Sequence, residues 1–143
     1  MSRSDDVLPE PSGAGNVGSI LVVDDEPTVR RFASRVLREA GYGVKEAVDG
    51  VEALSLIRSG VDDLDAVVSD IVMPRMNGVD LVRSLALEHP RLPVILMSGY
   101  DMDHLSGLGI VSPCGVLSKP FPPARLLAEV RRCLSLEASG PGT

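Results

Sequence analysis

The feature that most constrains this chain is a repeated alternation of short strand-like runs with helical periods. The runs are Ser19–Val23 and residues 42–47, 65–69, 93–97 and 114–118. Between them, apolar residues recur at helical spacing. Val29, Phe32, Ala33, Val36, Leu37 and Ala40 follow Pro27, which suits a first helical position, and Gly41 ends that helix. Asp49 can cap a helix carrying Ala53, Leu54 and Ile57 that closes near Gly60. Val79, Val82 and Ala86 mark a third helix, after the turn chemistry of Met73-Pro74-Arg75-Met76-Asn77-Gly78. Residues 99–109 hold at most a short helix, punctuated by Gly107 and Gly109. After Pro120, Pro122 and Pro123, a last helix carries Leu126, Leu127, Val130 and Leu134.

The order is βαβαβαβαβα. Strands that are apolar without alternation favour a parallel sheet covered on both faces. The expected fold is therefore α/β: a flavodoxin-like (βα)5 three-layer sandwich with strand order 2-1-3-4-5. At 143 residues one domain is expected, placed at 19–136. A polar lead at 1–18 and a tail at 137–143 flank it, both expected to be flexible.

A net charge of −6 argues against direct nucleic-acid binding. No apolar run reaches the roughly 20 residues of a membrane helix, and no signal-peptide core is present, so no membrane contact is expected. Cys114 and Cys133 match no metal or redox motif and make no disulfide framework. A reducing, cytoplasmic setting is expected.

In parallel sheets of this kind ligands bind beyond the carboxyl ends of the strands. Asp24 and Asp25 end the first strand, Asp70 the third, Ser98 the fourth and Lys119 the fifth. Each alone has a bland reading as turn residue, cap or solvated charge. Together they fall at one edge of the sheet, with three carboxylates converging between adjacent strands. Two carboxylates about 4 Å apart repel by roughly 4 kcal/mol at an effective dielectric near 20. One lysine cannot neutralise three, so a proton is retained or a cation binds. Hard carboxylate oxygens suit Mg²⁺ (or Mn²⁺), and the pattern lacks the thiol or imidazole ligands that favour zinc. A carboxylate beside such a cation, a lysine and a hydroxyl makes a phosphoryl-transfer site, with Asp70 as the nucleophile.

These residues resemble the receiver domain of two-component response regulators. The resemblance covers about residues 18–136. It rests on Ile20-Leu21-Val22-Val23-Asp24-Asp25-Glu26, Asp70-Ile71-Val72-Met73-Pro74-Arg75-Met76-Asn77-Gly78, Met97-Ser98-Gly99-Tyr100 and Lys119-Pro120-Phe121, in that order. Two segments, residues 93–100 and 116–121, look most like receivers at the C-terminal end of hybrid sensor histidine kinases. The resemblance implies five strands and five helices. It implies that Asp70 takes phosphate from the phosphohistidine of a sensor histidine kinase or histidine phosphotransfer protein. Asp25, Asp70 and the Val72 backbone carbonyl would ligate Mg²⁺, with Asp24 acting through water. Lys119 would pair with Asp70 or its phosphate, Ser98 would fill the Ser/Thr switch position, and the Lys119–Pro120 bond would be cis.

The sequence also departs from the family. Many receivers carry Tyr or Phe three residues before the lysine, where this chain has Val116, so a Ser98–aromatic switch lacks its ring. Tyr100 is the alternative aromatic. Val72 and Tyr100 occupy positions that tune hydrolysis of the acyl phosphate, and an apolar Val72 cannot orient water, so slow self-hydrolysis is expected. A true hydrolase would call for a second acid where Val72 stands. His89 and His104 are read as surface residues. Arg30, Arg31, Arg35 and Arg38 form a basic face on the first helix, part solvated and part available to a kinase. The leading function is a phosphoacceptor module, not a small-molecule enzyme. The alternative is a phosphorylation-independent interaction module with a non-standard switch.

Overall fold

A computed structural model describes residues 18–60, 63–73, 75–99 and 114–138. Among them run β1 (Ser19–Val23), α1 (Pro27–Glu39), β2 (Gly43–Ala47), α2 (Gly50–Ser59), β3 (Ala66–Asp70), α3 (Gly78–Glu88), β4 (Val94–Ser98), β5 (Gly115–Ser118) and α4 (Pro123–Ala138). The strands form one parallel sheet in the order β2-β1-β3-β4-β5, as expected. Four helices lie within the described residues against the five implied by the resemblance; residues 100–113 fall outside them. The helix α4 runs to Ala138, two residues beyond the domain end expected at 136.

Unbroken apolar runs make sense once both faces of the sheet are covered. Leu21, Val23, Val67, Val94 and Leu96 pack on one face with Ala53, Leu54, Ile57, Leu81 and Leu85 from α2 and α3. Ile20, Val22, Val68, Ile95 and Met97 pack on the other with Ala33, Leu37, Leu126 and Val130 from α1 and α4. Successive strand residues point to opposite faces, so a strand buried on both sides cannot alternate with polar residues. Each fully buried Val, Leu or Ile contributes roughly 1.5–3 kcal/mol.

The helix ends follow the local chemistry. Pro27 occupies the first turn of α1. At α2 the Asp49 side chain accepts from the Glu52 N–H at 2.9 Å, and Glu52 accepts from the Val48 N–H at 2.8 Å. Gly60 ends α2 in the left-handed region, with φ 65°. Asn77 caps α3 by accepting from the Asp80 N–H at 2.9 Å.

The cysteines correct an expectation. Cys114 and Cys133 form a disulfide, with a Cα–Cα separation of 6.0 Å. Cys114 leads into β5 and Cys133 lies on the buried face of α4, which packs against that strand. Their sequence separation of 19 residues carries no recognisable pattern, so only the packing of α4 on β5 brings them together.

Candidate functional site

Strand register builds the site. Val23 pairs with Ser69, so Asp24 and Asp70 emerge side by side at the carboxyl ends of β1 and β3. Asp70 pairs with Met97, which places Ser98 one step further along β4. Ser98 pairs with Ser118, and Lys119 follows at once, its N–H donating to the Ser98 carbonyl at 2.7 Å. The Lys119–Pro120 peptide is cis, as the resemblance implies.

Lys119 Nζ lies 3.0 Å from Asp24 Oδ2 and 3.1 Å from Asp70 Oδ1. Asp24 is fully buried and is braced twice more. The Glu26 N–H donates to its Oδ1 at 2.9 Å, and Arg30 Nη1 donates to its backbone carbonyl at 2.9 Å. Asp70 is nearly buried, and its Oδ1 also accepts from the Ile71 N–H at 2.9 Å. Asp25 is exposed and completes the group: one carboxylate oxygen from each of Asp24, Asp25 and Asp70 lies within 4.8 Å of the others.

Charges at that spacing repel by about 3–4 kcal/mol per pair at an effective dielectric near 20. Burial, and next the neighbouring Asp24 charge, push the Asp70 carboxyl above the usual carboxylate range, although Lys119 pulls the other way. Burial alone would lower the Lys119 ammonium, but its hydrogen bond to Asp24 and the Asp70 and Asp24 charges outweigh it, and its pKa rises. With all three acids ionised, one ammonium leaves them a formal charge of −2. Three hard oxygens with that charge deficit fit a divalent cation such as Mg²⁺.

The other expected residues fall nearby. Ser98 is buried at the end of β4. Val72 is 54% exposed, two residues beyond Asp70. Val116 is half-buried and packs against the core shared with α2 and α3. Tyr100 and His104 lie outside the described residues. His89 is half-buried at the end of α3, at the opposite edge of the sheet.

Two arrangements escape a reading by pattern. Arg30, taken as part of a basic face, is drawn inward, bonded to Glu46 at 3.0 Å as well as to Asp24. Glu46 near the end of β2 was the available signal, since β2 neighbours β1. Arg75, taken as turn chemistry, grips buried Asp49 with Nε–Oδ2 2.8 Å and Nη2–Oδ1 3.1 Å. Its signal was a long charged side chain in a tight turn; its φ is 67°.

A family model described as the response regulator receiver domain matches residues 20–131. The chain belongs to this family. The receiver is 40% identical over 117 residues to the sensor kinase CckA of Brucella abortus (strain 2308), covering 81% of this chain and 12% of that protein. It is 40% identical over 117 residues to the response regulator MprA of Mycobacterium avium (strain 104), covering 80% of this chain and 50% of that protein. The chain thus spans half or less of these relatives. Among solved structures, the receiver domain of a signal transduction histidine kinase from Syntrophus aciditrophicus is 30% identical with a TM-score of 0.75, covering 83% of this chain and 91% of that one. The likeness to histidine-kinase receivers therefore appears in both sequence and structure. A receiver is a signalling module of two-component systems, not a conventional enzyme, and receivers take phosphate from histidine kinases and bind Mg²⁺ at an acidic cluster of this kind. Among the described residues no helix is long and apolar enough to cross a membrane.

Proposed function

We propose that Asp70 is the phosphoacceptor of a two-component or phosphorelay system, taking phosphate from the phosphohistidine of a sensor histidine kinase or histidine phosphotransfer protein. The observation that carries this is the Lys119 ammonium shared between Asp24 and Asp70, with Asp25 in the same cluster. Lys119 and the Ile71 N–H hold Oδ1 of Asp70, which orients the carboxylate and reserves its other oxygen for attack on phosphorus. As the Asp70 O–P bond forms, the P–N bond of the donor breaks, and the ring nitrogen keeps the electron pair. Asp25, Asp70 and the Val72 carbonyl would hold a Mg²⁺ or Mn²⁺ ion, with Asp24 acting through water, and the ion would supply charge neutralisation on the phosphoryl oxygens. Lys119 and the Ser98 hydroxyl serve the remaining oxygens.

The unit that does this spans residues 19–138, to the end of α4, and works in the cytoplasm, where a kinase makes phosphohistidine from ATP. The domain catalyses only its own phosphorylation and a slow dephosphorylation.

The test is incubation with acetyl phosphate and Mg²⁺. The wild type gains one acid-stable, base-labile phosphoryl group, and Asp70→Asn or removal of Mg²⁺ abolishes it. Equal labelling of the variant would contradict the proposal. A second reading, an interaction module independent of phosphate, draws on Val116, which packs into the core without a ring to move. A wild type that takes up no phosphate yet still binds its partner would favour that reading.

A further inference from the structure

On the phosphoacceptor reading, the segment after Asp70 would hold one backbone carbonyl beside a cation, yet it is a turn. Its far end is fastened to the start of α2 by three contacts. The Arg75 fork closes on both oxygens of Asp49, at 2.8 and 3.1 Å. The Gly50 N–H donates to the Met76 carbonyl at 3.1 Å. Met76 also lies so close over Gly50 that a Cβ there would come within 2.6 Å of it. Asp49 is itself fixed, because it is buried and caps α2.

Arg75 holds this position at a conformational cost. Its φ of 67° lies in the left-handed region, and it is the non-glycine residue with positive φ among the described residues. Such a backbone ordinarily favours glycine or asparagine, and it persists where surrounding contacts over-determine it. Here the contact is a bidentate, charge-assisted pair with a buried carboxylate, which has directional specificity that a lysine lacks.

We propose that Arg75 is a positioning residue for the cation site: through its fork to Asp49 it holds the turn after Asp70, and with it the Val72 carbonyl that would join Asp25 and Asp70 around the ion. This rests on the phosphoacceptor reading above, which supplies the carbonyl's role. Pure electrostatics makes the opposite prediction. Removing a positive charge from this end of the molecule would strengthen attraction of Mg²⁺, whereas loss of the clamp weakens it.

The experiment measures Mg²⁺ affinity by calorimetry for wild type, Arg75→Ala, Arg75→Lys and Arg75→Gly. Backbone amide relaxation of residues 72, 73 and 75–77 is recorded by NMR on the metal-free proteins, whose thermal unfolding is measured alongside. All three variants are expected to bind Mg²⁺ about tenfold more weakly, in the range found when outer supports of a metal site are removed. Arg75→Lys keeps the charge, and Arg75→Gly removes the backbone penalty. Labelling by acetyl phosphate should fall at low Mg²⁺ and recover at saturating Mg²⁺, and the turn should become more mobile. Adding Asp49→Asn to Arg75→Ala should bring no further loss of affinity. Unchanged or tighter Mg²⁺ binding in Arg75→Ala, or wild-type affinity in Arg75→Gly, overturns the proposal, even if the melting temperature falls. A wild type that binds no Mg²⁺ overturns the phosphoacceptor reading instead, before any variant is compared.

Discussion

Two buried carboxylates sit at the same edge of the sheet and behave in opposite ways. Asp49 receives a full guanidinium fork and a backbone N–H, and Arg75 holds its carboxyl below the usual carboxylate range. Asp70 shares one ammonium with Asp24, and burial with the Asp24 charge holds its carboxyl above that range. The difference separates two kinds of acid. A carboxylate with its own partner is part of the scaffold. A carboxylate left short of positive charge is a group waiting for a cation and an electrophile.

The largest way to break this contrast is to remove the shared ammonium. Lys119→Met should cut the rate of labelling by acetyl phosphate about 100-fold at saturating Mg²⁺, within the range for deleting one preorganised charge donor. Rates measured by phosphoprotein gel or mass spectrometry would check this. A rate equal to wild type would mean that Lys119 only solvates the acids.

A smaller effect concerns the lifetime of the phosphate. The exposed, apolar Val72 side chain offers no hydrogen bond to an attacking water. Val72→Asn should shorten the lifetime severalfold, an effect on the order of 1 kcal/mol. Following loss of phosphate after removal of the donor would check it. No acceleration would remove Val72 from control of hydrolysis.

The smallest effect sharpens the contrast most. Because Asp70 titrates higher in the fold than in the unfolded chain, its ionisation destabilises the metal-free protein. That cost is absent below the unfolded carboxylate range and complete once the pH exceeds the folded value. Asp70→Asn should therefore stabilise the metal-free domain at neutral pH, and the gain should vanish in acid. Asp49 has the reverse sign. Its contribution is present above the ordinary carboxylate range and is lost as the pH falls through its lowered folded value, so Asp49→Asn should destabilise at neutral pH. Urea unfolding of both variants at two pH values checks the signs, and two changes of the same sign would erase the distinction.

Much of this molecule is legible in its residues, and unevenly so. The strands are readable because burial on both faces removes polar residues from Ile20–Val23 and Val94–Met97. The helices are readable because Pro27, Asp49, Asn77 and Gly60 carry capping and stop chemistry. The set Asp24, Asp25, Asp70, Ser98 and Lys119 is readable because strand ends are where a parallel sheet gathers ligands. Pairings between side chains from separate turns are not readable, since no period links Arg75 to Asp49, Arg30 to Glu46 or Cys114 to Cys133. Those depend on how helices settle on the sheet, a tertiary property. The switch expected of Tyr100 lies outside the described residues, and Val116 is placed as core packing.

The central claim is that Asp70 itself carries the phosphoryl group. The most direct measurement is tandem mass spectrometry of the wild-type domain after Mg²⁺-dependent phosphorylation, with the acyl phosphate trapped chemically and its position read from the fragments. The account predicts one modified residue, Asp70, with none formed when Mg²⁺ is chelated. Modification at Asp24, Asp25 or a histidine, or at Asp70 without any need for a divalent cation, would contradict it.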